Sequence, residues 1–519
     1  MRIIETSFSN EQLTILVPSV LLILTSIFFY SANKTRTAVG LLLIGAFGIR
    51  WLMIILDPFL NEWDERYHAL VAKNMMDHPF VPTLWREAIL PYNYKEWCCN
   101  HIWLHKQPLF LWQMALSMKI FGVNEIAVRI PSMLLNGLQV LLTYRIGVLV
   151  HNKNLGYIAA LMSALSYFGL EQVSGYMGRD HNEVIFFFYL TASYWSMAEY
   201  ITKPRPVFLI LIGVFSGMAI LNKWLVGLLV FAGWFIGELI NRKAFWSKVK
   251  KMILAGLISV VVFLPWQIYI ALRFPKESQA EYAFNRKHIF EVLEGHSGDW
   301  LFYFKYNYIL YGEWSWILIL GGAVAFLFLV RNRVLKYAVL SSIVIIYLFF
   351  MMAKTKFISY VYVSSLVFLL MAAALVFLEQ KLYQLNISTA LKRASVIFAL
   401  ILVGFFTFRH WRIESYHARN KPNYFGHGPE RVNRIHDAEI LRSLKNKIST
   451  DYVILNTTQP IEVMFYTGNI AYFWCGPEDY YQLKKEHRPI AALKNANYPI
   501  PPYLEKDTSV LIMDLGLRN

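Results

Sequence analysis

Three charged residues, Asp64, Glu65 and Arg66, directly follow a segment that is apolar enough to lie in a lipid bilayer, "GLLLIGAFGIRWLMIILDPFL". A carboxylate in such a place can take a proton from an attacking hydroxyl or phosphate oxygen, or orient that group. Asp is also a preferred N-cap residue, so capping a helix that starts at residue 65 is the structural alternative for Asp64, and from the local pattern alone it is the stronger one. Glu65 could brace Arg66, support Asp64 or favour the helix N-terminus by its charge.

Four basic residues stand in short turns at the ends of other apolar segments: Arg179, Lys223, Lys354 and Lys356. For each of them taken singly, a side chain that anchors a helix end by reaching toward the membrane surface is an equally good explanation. As a set they predict a site for a phosphate-bearing lipid, because Lys and Arg at the membrane edge are natural ligands for anions.

The segment "CCNHIWLHK" contains side chains that can bind a metal ion. His101 and His105 are four residues apart and would share one face of a helix, which is a weak metal signal. Hydrogen-bonded histidines are the structural alternative. Cys98 and Cys99 are adjacent, and Cys475 lies far along the chain. An oxidising compartment would allow a disulfide, but the sequence does not establish one.

The elements that must position these residues are membrane helices. Of the 519 residues, 56% are hydrophobic and only 16% are charged, against roughly 25% charged in soluble domains. Twelve apolar segments approach the length that a helix needs to cross a bilayer. They lie near residues 13–30, 38–56, 126–150, 154–173, 183–200, 206–221, 224–241, 249–271, 314–330, 334–352, 358–378 and 393–409. The first lacks a basic region and a cleavage site, so we expect a retained helix and not a signal peptide.

The net charge of +16 is explained by topology. Seventeen lysines and arginines fall in or beside one set of alternating short loops, which marks that side as cytoplasmic. The loops 57–125 and 272–313 and the tail after 410 then lie outside. A nucleic-acid partner is disfavoured, because the basic residues are not gathered into one patch.

Two amphipathic helices are predicted in the first outer loop, over residues 64–78 and 108–121. Such helices would lie on the membrane surface and hold the intervening loop near the lipid headgroups. After residue 410 the composition becomes charged, and strands alternate with helices. The sequence therefore predicts a transmembrane domain over 1–409 and a small soluble α/β domain over 410–519 on the outer face.

Several motifs resemble those of GT-C glycosyltransferases of the lipid A aminoarabinose transferase and protein O-mannosyltransferase type. The matching segments, in family order, are "WDERYHALVAKNMMDHPFVPTLW", "LHKQPLFLWQMALSMKIFGVNEIAVRIPSMLL", "YMGRDHNEVIFFFYLTASYW", "GVFSGMAILNKWLVGLLVF", "EGHSGDWLFYFKYNYIL" and "AKTKFISYVYVSSL". Family members carry Asp-Glu-x-x-Tyr, a loop ending in Glu-Lys-Pro-Pro, and a span that opens with Arg-x-Pro-Ser. The similarity covers roughly residues 40–380 and implies a GT-C transmembrane bundle whose outer loops form the active site.

The resemblance implies transfer of a sugar from a polyprenyl phosphate, such as undecaprenyl phosphate, to an acceptor at the outer, periplasmic face of a bacterial inner membrane. A single displacement with inversion follows if one carboxylate acts as base. Asp64 is the expected base, with Glu65 and Asp180 as further acidic candidates. The expected substrate-binding residues are Arg66, Tyr67, Lys106, Arg179, Lys223, Lys356 and Tyr360.

The chain departs from the family at the tetrad Glu-Lys-Pro-Pro, which here is His105-Lys106-Gln107-Pro108. In relatives that glutamate has been linked to a divalent metal. Histidine is a softer ligand, so His105 and His296 are the tentative ligands of one divalent ion. No nucleotide cofactor is expected. The expected partners are the donor lipid, membrane lipids and a lipid, glycan or protein acceptor, with the protein as a monomer.

Two alternatives remain open. A lipid transporter or flippase would also need many spans and phosphate ligands, but transporters tend to carry internal repeats and charges near the midplane, and neither is found in this sequence. Within the enzyme class, a protein O-glycosyltransferase is the alternative to an enzyme that modifies lipid A.

Overall fold

The computed structural model describes residues 8–176, 181–313, 315–384, 388–408, 431–473, 475–494 and 498–518. The chain divides into two compact units. Unit 1 comprises Met1–Met53, Ser132–Val173 and His181–Arg412, and unit 2 comprises Ile54–Pro131, Ser174–Asp180 and Ile413–Asn519. Unit 2 therefore combines the first predicted outer loop with the C-terminal tail.

Unit 1 is built from helices. Those that lie wholly or mostly in it are Asn10–Ser31, Thr35–Ile55, Glu125–Val150, Lys153–Leu165, Tyr167–Ser174, His181–Thr202, Pro206–Lys223, Leu229–Asn241, Phe245–Arg273, Pro275–Phe290, Phe302–Lys305, Asn307–Tyr311, Ser315–Leu329, Arg333–Met352, Ser364–Gln384 and Thr389–Phe408, with 3-10 turns at Trp224–Leu228 and Ile358–Val361. Every predicted apolar segment overlaps one of these helices.

Seven helices of the described chain are long and apolar enough to cross a membrane, which confirms a multi-pass membrane protein. They are Asn10–Ser31, Thr35–Ile55, Glu125–Val150, Pro206–Asn241 with its internal 3-10 turn, Phe245–Arg273, Arg333–Met352 and Ser364–Gln384. The predicted segment at 154–173 is divided at Ser166 into two shorter helices, and the segment at 314–330 forms the 15-residue helix Ser315–Leu329.

Small residues let helices of unit 1 approach each other closely. Gly233 and Gly237 are one turn apart on helix Leu229–Asn241, which packs against helix Arg333–Met352. A Cβ atom at Gly237 would lie 2.5 Å from the carbonyl oxygen of Val334, so any larger side chain would push the helices apart. Such close approach is the usual way to pack helices in a bilayer, where apolar burial alone gives no driving force.

Unit 2 contains the two helices predicted in the first outer loop. They are found at Asp64–Asn74 and Leu109–Phe121. The first ends earlier than predicted, and its cap differs as well: the helix begins at Asp64, and Trp63 is the N-cap, without a side-chain capping bond. The alternative of Asp64 as N-cap was therefore wrong.

The tail contributes a four-stranded parallel sheet to unit 2. The strands are β1 (Val453–Leu455), β2 (Ile470–Ala471), β3 (Ile490–Leu493) and β4 (Leu511–Met513), in the order β2-β1-β3-β4. The helices around it are Arg431–Leu444, Pro460–Thr467, Pro477–Lys485 and Pro502–Glu505. The sequence predicted all of these elements except β3 and the last helix. Ile89 and Leu90 of the first loop join the core of the sheet.

Lys73 connects the loop and tail segments of unit 2. Its ammonium group donates to the carbonyl oxygens of Met464 and Phe465, at 2.8 and 2.7 Å, near the end of helix Pro460–Thr467. A cation is favourable at a helix C-terminus. Burial, with nearby Lys445 and Arg86, nevertheless lowers the pKa of Lys73 from 10.5 to about 8.

This depressed pKa predicts a stability that depends on pH. Between the folded pKa of about 8 and the unfolded value of 10.5, the unfolded chain binds more protons, so stability increases with pH in that window. We expect the melting temperature of the wild-type protein in detergent to increase, relative to that of Lys73→Met, as the pH is raised from 7.5 to 10.5. If the melting temperatures of the two proteins changed by the same amount across this pH range, the assignment would be contradicted.

Candidate active site

Asp64 occupies a sharp turn at the start of a helix in unit 2. Trp63 before it has a φ of +63°, an unfavourable conformation for a bulky residue. One carboxylate oxygen of Asp64 lies 3.6 Å from the ammonium nitrogen of Lys106 and 4.0 Å from Nε2 of His68. The side chains of Asp64 and Lys106 are 28% and 23% exposed. The structure thus places the predicted base beside Lys106, a predicted substrate-binding residue, and a substrate can reach both.

Glu65 faces away from this surface and is fully buried. Its carboxylate accepts two bonds from the guanidinium of Arg129, at 2.6 and 2.9 Å, and a third from the backbone N–H of Asn61. Arg129 also donates to the carbonyl oxygens of residues 54, 57 and 59. Glu65 therefore does not brace Arg66; together with Arg129 it fixes the segment that leads into Asp64. Arg129 belongs to the Arg-x-Pro-Ser motif, but sequence reasoning gave it no role.

Arg66 and Tyr67 also have defined partners in unit 2. The guanidinium of Arg66 lies 3.0 Å from a carboxylate oxygen of Glu462. Burial would lower the pKa of Arg66, but this carboxylate and its neighbours raise it above its usual value. The ring of Tyr67 packs edge-on against Trp97, and burial raises its pKa to about 12. At neutral pH Arg66 is therefore positively charged and the hydroxyl of Tyr67 is protonated, so Tyr67 can donate a hydrogen bond.

A second polar cluster lies within unit 1. One oxygen of Glu183 accepts from the ammonium group of Lys223 and from the hydroxyl of Ser359, each at 2.6 Å. The other oxygen accepts from the amide of Gln172 at 2.9 Å. The ring centroid of Tyr360 is 4.5 Å from the ammonium nitrogen of Lys223. The structure thus brings together two predicted substrate-binding residues, Lys223 and Tyr360.

Glu183 was missed by sequence reasoning, although it lies in the quoted segment "RDHNEV". Asp180 was preferred there because it stands at the predicted junction. Arg179 and Asp180 lie outside the described residues. Glu183 falls in the first turn of helix His181–Thr202, is buried, and carries the charge that compensates Lys223.

Lys356 has a different environment from that expected. It is buried, and its ammonium group donates to the carbonyl oxygens of Phe350 and Met351, at 2.9 and 2.7 Å. These carbonyls end helix Arg333–Met352, where a cation is favourable. Burial, with nearby Lys354, lowers the pKa of Lys356. A structural role at the helix end therefore accounts for Lys356 as well as phosphate binding would.

The two histidines proposed as metal ligands fall in different units. The ring of His105, in unit 2, stacks on that of Trp97, with 5.0 Å between the ring centroids. The ring centroid of His296, in unit 1, lies 4.0 Å from that of Phe357. Within the described ranges, three potential ligands converge at Glu96, Cys98 and Cys99, whose ligand atoms lie within 4.8 Å of one another. The sulfur atoms of the two cysteines are 3.1 Å apart and form no disulfide.

Comparison with known proteins gives concordant results. The model of the family described as dolichyl-phosphate-mannose-protein mannosyltransferase matches residues 105–269. An undecaprenyl phosphate-alpha-4-amino-4-deoxy-L-arabinose arabinosyl transferase from Photorhabdus laumondii is 25% identical over 337 residues, 63% of this chain and 58% of the relative. A protein of the same name from Pseudomonas savastanoi is 24% identical over 279 residues, 51% of this chain and 48% of the relative. The chain spans about half the length of these relatives.

Solved structures share the fold. ArnT from Cupriavidus metallidurans in the apo state matches with a TM-score of 0.62 and 14% identity, over 88% of this chain and 89% of that one. The archaeal oligosaccharyltransferase AglB from Archaeoglobus fulgidus matches with a TM-score of 0.54 and 13% identity, over 83% and 63%. These findings confirm the predicted resemblance: the chain is a membrane protein with the GT-C fold, of the type shared by the arabinosyl transferases and the protein mannosyltransferases.

Proposed function

We propose that this protein transfers a sugar from a polyprenyl-phosphate donor to an acceptor at the outer face of a bacterial inner membrane. The observation that carries the proposal is the pair Asp64 and Lys106, 3.6 Å apart, at the start of a helix that follows a membrane span. The names of the curated relatives support an undecaprenyl phosphate carrier. A structure of ArnT from Cupriavidus metallidurans bound to undecaprenyl phosphate, with a TM-score of 0.60, supports the fold assignment.

The chemistry follows from the roles of the two charges. Asp64 takes the proton of the acceptor as its oxygen attacks the anomeric carbon, and Lys106 stabilises the lipid phosphate as it leaves. One base and one leaving group give a single displacement with inversion. The further substrate ligands that we propose are Lys223, Tyr360, Arg179, Arg66, Tyr67 and Lys356. Asp180 is proposed as a second acidic residue.

Several finer features belong to the same proposal. We propose twelve spans, a catalytic domain over 1–409 with the loops 57–125 and 272–313 at the active site, and an α/β domain over 410–519 on the periplasmic side. The alternation of basic loops supports this orientation. The protein is proposed to act as a monomer. Turnover by the purified protein in detergent distinguishes sugar transfer from the transporter alternative.

The acceptor is tested in cells. A deletion strain should lack one sugar modification that the parent carries, on lipid A, on another glycan or on a glycoprotein. Mass spectra of these three fractions from parent, deletion and complemented strains identify which one changes. Restoration by the wild-type gene but not by Asp64→Asn would support transfer. Three unchanged fractions in the deletion strain would contradict the proposal.

Lys106→Ala is expected to weaken donor binding about 10- to 100-fold, because a hydrogen bond to a charged group contributes roughly 1.5–3 kcal/mol. Lys106→Arg should retain most of the affinity. The protein in detergent is titrated with undecaprenyl phosphate, and the increase in its melting temperature reports binding. The matched control is Lys95→Ala, an exposed lysine of the same loop. Equal affinities for Lys106→Ala and the control would rule out the phosphate role.

We also propose one divalent ion, for which His105 and His296 are each a candidate ligand. The imidazole of each can offer a nitrogen to zinc-like metals, and a bound ion would supply additional positive charge near the departing phosphate. We expect EDTA to lower turnover, and His105→Ala to lower the metal content of the purified protein. The double variant Cys98→Ser/Cys99→Ser removes both thiols of the group formed by Glu96, Cys98 and Cys99, and it shows whether that group holds the metal instead. Retained metal in His105→Ala but not in the cysteine variant would exclude His105.

A further inference from the structure

A cavity of about 200 Å³ lies entirely within unit 2. Phe59, Leu60 and Leu441 form an apolar part of its lining, and Tyr466 adds an aromatic ring. The remaining wall combines four charged residues with neutral ones. The charged residues are Glu62, Arg66, Arg434 and Glu462, and the neutral ones are Ala438, Thr458 and Gln459. Pockets for drug-sized ligands occupy about 300–1,000 Å³, so this cavity suits a smaller group of about one ring.

The charges that line the cavity are balanced. Arg66 lies 3.0 Å from Glu462, and Arg434 lies 2.5 Å from Glu62. A phosphate would be attracted by the two guanidinium groups but repelled by the two carboxylates. A cation would be attracted by the carboxylates but repelled by the guanidinium groups. The cavity therefore favours a ligand without net charge.

The lining nevertheless offers both donors and acceptors of hydrogen bonds. The guanidinium groups of Arg66 and Arg434 donate, and the carboxylates of Glu62 and Glu462 accept. A hydroxyl can accept from the one kind and donate to the other, so several hydroxyls on one ring are the best match.

The position of the cavity connects it with Asp64. Glu62 stands two residues before Asp64 and Arg66 two residues after it. The opposite wall comes from the tail, with Arg434 and Ala438 on helix Arg431–Leu444 and Glu462 on helix Pro460–Thr467. A ring held here would be bound by the same turn that presents the base.

We infer that this cavity binds a neutral sugar ring of the acceptor, so that the acceptor is a glycoconjugate. This inference rests on the proposed transferase function and specifies its acceptor class. It also gives the C-terminal tail a role in acceptor recognition.

Binding is tested with the full chain in phosphatidylcholine nanodiscs, because detergents with sugar headgroups would compete. The probes are methyl β-D-glucopyranoside and methyl α-D-mannopyranoside, observed by saturation-transfer NMR, with inorganic phosphate as competitor. We expect binding in the millimolar range, unaffected by phosphate at equal concentration. Absence of binding by both glycosides, or their displacement by phosphate, would overturn the inference.

Two variants locate the bound ring. Glu462→Gln and Ala438→Phe should each weaken binding at least 5-fold, while Glu478→Gln, an exposed glutamate in the first turn of another helix of the tail, should leave it unchanged. Melting temperatures verify folding; if Ala438→Phe does not fold, Glu462→Gln decides. Equal affinity in the folded variants and the wild type would overturn the placement of the ring.

The two proposals fail separately. If glycosides do not bind but the protein still forms product with a non-sugar acceptor, the cavity assignment alone is wrong. If glycosides bind but no product is formed with any acceptor fraction, the transferase proposal is wrong.

Discussion

Replacement of Asp64 by Asn is expected to reduce sugar transfer by about 10²–10⁴-fold, the usual contribution of a positioned general base. The amide keeps the size of the side chain but cannot take a proton. Because Lys106 remains in place, affinity for the donor lipid should change little. Turnover and donor binding are measured on the same detergent-purified protein, so that the two effects are separated.

Asp77→Asn is the matched control for this variant. Asp77 is exposed and lies in the same outer loop, so the chemical change is identical while the site is untouched. Both variants should melt within a few degrees of the wild type. Near-normal turnover by Asp64→Asn, or an equal loss in Asp77→Asn, would refute the assignment of Asp64 as base.

Breaking the buried pair of Glu65 and Arg129 is expected to have the largest effect on stability. Both side chains are completely buried. Glu65→Ala would leave the guanidinium of Arg129 without its carboxylate, and removal of one partner of such a pair costs about 3–5 kcal/mol. We expect a strongly lowered melting temperature in detergent, with transfer lost through unfolding. The double variant Glu65→Leu/Arg129→Met should recover part of the loss, because neither charge is then left unpaired.

An exposed ion pair provides the comparison. Asp299 and Lys305 pair on the surface, with side chains 53% and 55% exposed. Pairs of this kind contribute at most about 1 kcal/mol, so Asp299→Ala should hardly change the melting temperature. If Glu65→Ala were no more damaging than Asp299→Ala, the pair with Arg129 would not be what holds the segment before Asp64.

The sequence predicted those features that depend on short-range patterns. The helices at Asp64–Asn74 and Leu109–Phe121 have local apolar periodicity, and most elements of the tail lie between clear turn residues. Strand β3, "IAAL", was missed because Ala has a low strand propensity. It forms a strand because it pairs with β1 and β4 on its two sides, which no local window reveals.

The site shows the same division between local and distant information. Lys106 was placed with Asp64 by family resemblance, and the structure puts them 3.6 Å apart. The partner of Glu65 was sought in the adjacent Arg66, whereas it is Arg129, 64 residues away. Glu183 gave no signal beyond its place in a helical first turn, and its role became visible only through its bond to Lys223.

The most direct test of the account is turnover by the purified protein in detergent, where there are no two compartments for a transporter to connect. Undecaprenyl phosphate carrying a labelled sugar is incubated with acceptor extract, and both labelled product and released undecaprenyl phosphate are followed over time. We expect the wild type to form both in equal amounts and Asp64→Asn to form neither, although both proteins bind the donor. Donor binding without any product from the wild type, together with movement of the donor lipid across proteoliposomes, would contradict the account.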